Sequence, residues 1–96
     1  MSASHLAIVS DAVRVPLPAD AIGQRIRDLR LEARKLAREQ VEMLHQSLIE
    51  THNLAAEIAM GGEAYGVGAR ELARRVAEDA GNQAATLAAI VERERN

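Results

Sequence analysis

The chain has 96 residues and is rich in aliphatic side chains, but it contains a single aromatic residue, Tyr65, and no cysteine. One domain is the most that this length holds, and the lack of cysteine excludes disulfide-stapled folds and thiolate zinc sites. The net charge of −2 gives no general attraction to DNA or to anionic membranes. One aromatic ring cannot form a stacking platform for single-stranded nucleic acid.

Residues 1–18 are predicted to form an extended N-terminal arm. They contain both prolines, Pro16 and Pro18, and a proline pushes the residue before it toward an extended conformation. The first residues lack the basic segment of a secretory signal, and no run of residues reaches the ~20 apolar positions that a membrane span needs. The sequence therefore predicts a cytoplasmic protein.

Residues 19–60 are predicted to form one long helix, because they contain no proline and consist largely of good helix formers. Asp20 is predicted to cap the N-terminus of this helix, and Gly61 is predicted to end it as a left-handed C-cap. Apolar residues recur along the helix in steps of three and four, apart from one step of seven that passes Thr51, and this is the pattern of a coiled-coil seam. These positions are Ile22, Ile26, Leu29, Ala33, Ala37, Val41, Leu44, Leu48, Ala55 and Ile58.

A second helix is predicted over residues 69–95, after a glycine-rich reversal loop over residues 61–68. Residues 19–96 are therefore expected to form an all-α helical hairpin with two unequal, antiparallel helices. The second helix is too short to cover the first turns of the long helix, and two helices of this size do not make a complete core. A second copy of the chain is the simplest cover for the apolar residues of those turns.

The charges of the long helix are segregated along its length. Residues 25–38 carry six basic and two acidic side chains, which is +4, whereas residues 39–63 carry five acidic and no basic side chains, which is −5. This order opposes the helix dipole, which favours acidic residues at the N-terminus. An antiparallel second copy places the basic segment, residues 25–38, of each chain against the acidic segment, residues 39–63, of the other. We therefore predict an antiparallel homodimer that forms a four-helix assembly. The predicted interaction surface consists of Ile22, Ile26, Leu29, Arg27, Arg30, Arg34, Arg38, Glu42, Glu50 and Glu57.

These features favour a non-enzymatic module for helical oligomerisation and protein interaction, which presents an elongated charged helix surface to a protein partner. Closely packed helices with small aliphatic side chains enclose little volume for a substrate pocket, so the sequence predicts no enzyme activity and no cofactor. Frequent alanine and arginine, with Lys35 as the only lysine, are typical of GC-rich bacterial or phage genomes. The competing interpretation of the charge pattern is a solvent-exposed face that binds no partner.

A small DNA-binding regulator is the alternative function. The basic ridge of residues 25–38 has arginines at i,i+4 spacing and is suited to phosphate contacts. In addition, residues 71–90 are similar to the helix-turn-helix of bacterial repressors, with Gly81 at the turn. The residues that contact nucleic acid in this alternative are Arg30, Arg34, Arg38, Gln83 and Thr86.

A metal-binding carboxylate bundle is the second alternative. Glu42 and His45 form an E-x-x-H motif, and the i,i+3 spacing puts a carboxylate and an imidazole on one helix face. The two-helix size and this motif resemble the encapsulated-ferritin family, whose helical-hairpin subunits complete a di-iron site between chains. That family carries the motif on its second helix, whereas here it lies on the first. The resemblance therefore implies metal ligation only for Glu42 and His45.

Overall fold

The computed structural model describes residues 18–95, which form two α-helices joined by a short turn. Helix α1 spans Pro18–Ala59, a 3-10 helix spans Gly62–Ala64, and helix α2 spans Val67–Arg95. These residues contain no β-strand, which confirms the predicted all-α helical hairpin. The predicted arm over residues 1–17 lies outside the described residues. Within residues 18–95, neither helix is apolar over a long enough stretch to cross a bilayer.

The helix starts differ from the predicted ones by one or two residues. Helix α1 begins at Pro18, because a proline in the first turn has no N–H to lose and its φ angle already suits a helix. Asp20 therefore lies inside the first turn and is not the N-cap, although its carboxylate still interacts favourably with the helix dipole there. Helix α2 begins at Val67, and the N–H of Arg70 donates to the carbonyl of Gly66 at 3.0 Å in its first turn.

Two adjacent glycines in the turn are required for different physical reasons. The prediction of a left-handed Gly61 is wrong, because this residue has a φ of −80° and its N–H donates to the carbonyl of Ile58 at 3.1 Å. The left-handed residue is Gly62, with a φ of +70°. Gly61 is instead required for space, since a Cβ atom there would approach within 2.6 Å of Cδ2 of Tyr65. The tyrosine ring therefore closes over the end of α1.

The chain divides into two compact units, with the boundary between Ala37 and Arg38. The described part of the first unit, residues 18–37, consists only of the N-terminal portion of α1. Every residue in it is exposed except Gly23, which is half-buried, and none is buried. The second unit holds the remainder of α1, the turn and α2, and it contains all the buried residues of the described chain. The hairpin proper is therefore formed by residues 38–95.

The core of the hairpin is a line of alanines. Ala55 of α1 packs with Ala73 and Ala77 of α2, and Ala80 and Ala84 are buried further along α2. The four residues of α2 recur in steps of four, three and four, which puts them on one side of the helix. Because each contributes only a methyl group, the two helices approach closely, and the core contains no large side chain that is fully buried.

Candidate functional site

A row of large apolar side chains is exposed to solvent in the unit formed by residues 18–37. Ile22, Ile26 and Leu29 are 63%, 44% and 51% exposed. They follow one another in steps of four and three residues, so they lie on one side of α1. We call these three residues the N-terminal row. A continuous exposed apolar row is unusual on a chain without partners and is typical of a surface that binds another protein.

The charged residues of the predicted interaction surface are also exposed. They are Arg27, Arg30, Arg34, Arg38, Glu42, Glu50 and Glu57. Within residues 18–95, no carboxylate forms an ion pair with Arg30, Arg34 or Arg38. By contrast, a hydrogen bond of 2.7 Å from Arg74 lowers the pKa of the Glu71 carboxyl. The positive charge of the basic segment is therefore available to a partner.

One polar contact joins the two helices of the hairpin. The Nδ1 atom of His52 lies 2.8 Å from the carbonyl oxygen of Ala77. Because a carbonyl oxygen only accepts, this nitrogen carries the proton and donates it. Gly81 provides the space for the imidazole, since a Cβ atom there would lie 3.0 Å from Nδ1 and 3.3 Å from Cε1.

Gly81 therefore makes room for His52 and does not form the turn of a helix-turn-helix that the sequence predicted. That prediction is wrong, because α2 continues without interruption from Val67 to Arg95. Gln83 and Thr86 are exposed residues of this one helix, and no separate recognition helix exists within residues 71–90. The sequence shows a glycine inside a helical pattern but does not show which side chain of the other helix faces it.

Replacement of Gly81 with alanine is expected to depend on His52. In a His52→Ala background, Gly81→Ala raises the free energy of unfolding by about 1 kcal/mol through helix propensity. In the wild-type chain this gain is reduced by about 1 kcal/mol, because the new methyl group displaces the imidazole from its hydrogen bond. Urea denaturation of the four chains in a double-mutant cycle measures this coupling. Gly68→Ala is the matched control, because nothing lies within 4 Å of its Cβ position, and it should give no coupling to His52.

The contact between His52 and Gly81 also defines the two flanks of the hairpin. Ile58 is six residues from His52 and lies about 120° away around α1. Val76 is five residues from Gly81 and lies about 140° away around α2. Because His52 meets Gly81 on one flank, Ile58 and Val76 lie together on the other. Both of these residues are half-buried and pack against the alanine cluster.

This second flank carries three exposed leucines. Leu44, Leu54 and Leu72 are 54%, 60% and 55% exposed. Leu54 precedes Ile58 by one helical turn, and Leu72 precedes Val76 by one turn, so they extend the same surface. We call this surface the apolar flank. It consists of Leu44, Leu54, Ile58, Leu72, Val76 and Leu87. Leu44 precedes Ile58 by 14 residues and Leu87 follows Val76 by 11, so each returns to the same side of its helix. The helical pattern of the sequence identifies several of these positions but does not show that both helices contribute to one surface.

The two residues of the E-x-x-H motif lie near each other on α1. Oε1 of Glu42 is 3.9 Å from Nδ1 of His45, and the imidazole is half-buried. Within residues 18–95, no group of three or more histidine, aspartate or glutamate side chains is placed to hold one metal ion. A metal site that used this motif would therefore take further ligands from outside residues 18–95 of the same chain. The metal-binding alternative stays a prediction, which elemental analysis of the purified protein tests.

Comparisons of the chain with protein-family models, with curated proteins and with solved structures gave no match. The function is therefore inferred from two exposed apolar surfaces, the N-terminal row and the apolar flank, and from the segregated charges of α1.

Proposed function

We propose that the chain is a non-enzymatic module for helical oligomerisation and protein interaction. It self-associates as an antiparallel homodimer and presents the charged surface of α1 to a protein partner. The observation that carries this proposal is the exposure of the N-terminal row in a unit whose described residues include no buried side chain. Helices gain most of their stability from packing an apolar face, and within residues 18–37 no apolar side chain is buried.

The charge distribution favours a second copy of the chain in the antiparallel orientation. Residues 25–38 carry +4 and residues 39–63 carry −5. In an antiparallel pair each basic segment lies against an acidic segment, whereas a parallel pair brings like charges together along the whole length. Like charges on neighbouring helices oppose association, so the parallel pair is disfavoured.

Sedimentation equilibrium of the full chain at micromolar concentration tests self-association. We expect a mass twice that of the 10.4 kDa chain. The measurement is made from about 1 to 100 μM, because the apparent mass of a dimer falls at concentrations below its dissociation constant. A monomer mass across this entire range would overturn the proposal.

Reversal of the basic ridge is expected to weaken the dimer, and a matched reversal of the acidic segment is expected to restore it. The chain with Arg30→Glu, Arg34→Glu and Arg38→Glu carries −2 over residues 25–38 and opposes an acidic segment. We expect its dissociation constant to rise roughly 20- to 150-fold at low salt, since exposed charge pairs contribute about 0.3–0.5 kcal/mol each and the two-fold symmetry of the dimer gives six such pairs. The matched variant, in which the acidic segment is reversed, carries Glu42→Lys, Glu50→Lys and Glu57→Lys.

In the mixture of these two chains, both charge contacts of the heterodimer are attractive. Isothermal titration of one variant into the other should therefore show tighter association than either variant shows with itself, and added salt should reduce the difference. Equal affinities in all three combinations would contradict the role of the charges.

The same arginine variant tests the DNA-binding alternative. If the basic ridge contacts phosphates, wild-type chain binds duplex DNA with an affinity that falls steeply with salt, and the variant loses this binding. We expect the wild-type chain and the variant to show the same weak binding to duplex DNA, because in our proposal the basic ridge contacts the acidic segment of a second copy.

A further inference from the structure

We propose that the N-terminal row of one copy packs against the apolar flank of a second copy, in an antiparallel register that is symmetric about Gln40. This inference rests on the proposed self-association and specifies the surface and the register that it uses. Each end of the dimer then contains three helices: the two helices of one hairpin and the N-terminal part of α1 from the other copy.

The register follows from the positions of the seam residues. In an antiparallel pair of identical helices, two residues face each other when their numbers have a constant sum. Three pairs of large aliphatic residues on the side of α1 that carries the N-terminal row lie at equal distances before and after Gln40, so that facing residues sum to 80. The facing pairs are Leu36 with Leu44, Ala33 with Ser47, Leu29 with Thr51, Ile26 with Leu54, and Ile22 with Ile58. Large aliphatic side chains therefore meet beside Gln40 and again near the ends of the paired region.

Gln40 lies on the two-fold axis in this register and faces its own copy. An amide side chain both donates and accepts hydrogen bonds, so two glutamines can satisfy each other across the axis. A long polar residue at the contact between two helices favours one register over its neighbours, because a shift of one helical turn would place Gln40 against Leu36 or Leu44. Gln40 is exposed in the single chain, as a residue at such a contact must be.

The apolar flank presents large aliphatic side chains that are exposed or half-buried, as contact with the N-terminal row of a second copy requires. Two residues that face the N-terminal row, Leu54 and Ile58, belong to the flank. Leu72 and Val76 lie on the same flank of the hairpin and extend the apolar contact from α1 to α2. The partner helix therefore covers side chains from both helices, and the third helix completes a core that two helices of this size do not form alone.

The net charges agree with the same register. Residues 22–38 carry +4, and they face residues 42–58, which carry three glutamates and no basic residue. The alternative occupants of the flank, such as residues 1–17 of the same chain or an unrelated protein, do not predict that the seam is symmetric about one residue. Cross-linking between single-cysteine variants distinguishes them from a second copy.

The absence of cysteine from the chain permits a clean test with single-cysteine variants. Gln40→Cys is expected to form a covalent dimer with its own copy on mild oxidation, because only residues at the two-fold axis face themselves within disulfide range. Ile26→Cys is not expected to cross-link with itself. A mixture of Ile26→Cys and a size-tagged Leu54→Cys is expected to give the mixed dimer, which the tag separates from the other products on a non-reducing gel.

The matched control is Leu31→Cys, because Leu31 is as exposed as the N-terminal row but lies on the opposite side of α1. We expect Gln40→Cys and the mixed pair to cross-link at least about tenfold faster than Leu31→Cys, owing to the high effective concentration of facing thiols. If sedimentation shows a dimer while these rates equal the control rate, the register is wrong and self-association stands. Efficient self-linking of Ile26→Cys would indicate a parallel dimer and overturn the inference. A monomer in sedimentation overturns both proposals.

Discussion

Replacement of Ile22, Ile26 and Leu29 with glutamine is expected to convert the dimer into a monomer at micromolar concentration. Full burial of a large aliphatic side chain contributes about 1.5–3 kcal/mol, and these side chains are about half exposed in the single chain. Each therefore contributes roughly 1 kcal/mol on association, and the two-fold symmetry doubles the number of contacts. The summed loss of about 6 kcal/mol corresponds to a rise of roughly 10⁴-fold in the dissociation constant.

Sedimentation equilibrium measures this change, and circular dichroism reports whether the helices persist. Glutamine is a good helix former, so the substitutions should weaken α1 little through propensity. Ile26→Gln and Leu31→Gln form a matched pair, since both remove a large exposed aliphatic side chain from the same helix but on different sides. We expect only Ile26→Gln to weaken the dimer. A triple variant that remains dimeric would show that the N-terminal row does not lie at the interface.

Replacement of Ala80 and Ala84 with leucine is expected to open the hairpin. These residues are 4% and 2% exposed, and both lie in the line of alanines between the two helices. Each leucine adds three carbon atoms where the helices are in close contact, and such overpacking lowers the free energy of unfolding by about 1–3 kcal/mol per site. The double variant should therefore lose about 2–6 kcal/mol, which urea denaturation measures.

Ala85 and Ala89 provide the matched control for this prediction. They are also one helical turn apart on α2, but both are exposed. Leucine at these two positions should change the free energy of unfolding by less than about 0.5 kcal/mol per site, as is usual for surface substitutions. Equal losses in the two double variants would mean that the alanine line is not the contact between the helices. Opening of the hairpin should also weaken the dimer, because the apolar flank contains residues of both helices.

Local sequence rules were sufficient for the helices themselves. The absence of proline after Pro18, the abundance of good helix formers and the cluster of glycines predicted two helices and one turn, and the observed bounds differ by only one or two residues. These features depend on backbone propensity and on periodicity, which involve residues a few positions apart. The sequence also predicts the exposure of the N-terminal row, because the second helix is too short to cover the first turns of the long one.

The roles of individual glycines and the composition of the apolar flank required the tertiary structure. The sequence around Gly81 suggests a turn, because its neighbours in sequence do not include His52, which fills the space beside it. The left-handed residue is Gly62 and not Gly61, and the space at Gly61 is needed for the ring of Tyr65, a residue whose position depends on the path of the whole turn. Leu54 and Leu72 share a surface only because of the rotation of each helix about its own axis. That rotation is determined by packing between residues that are distant in the chain. The periodicity of apolar residues within one helix does not predict it.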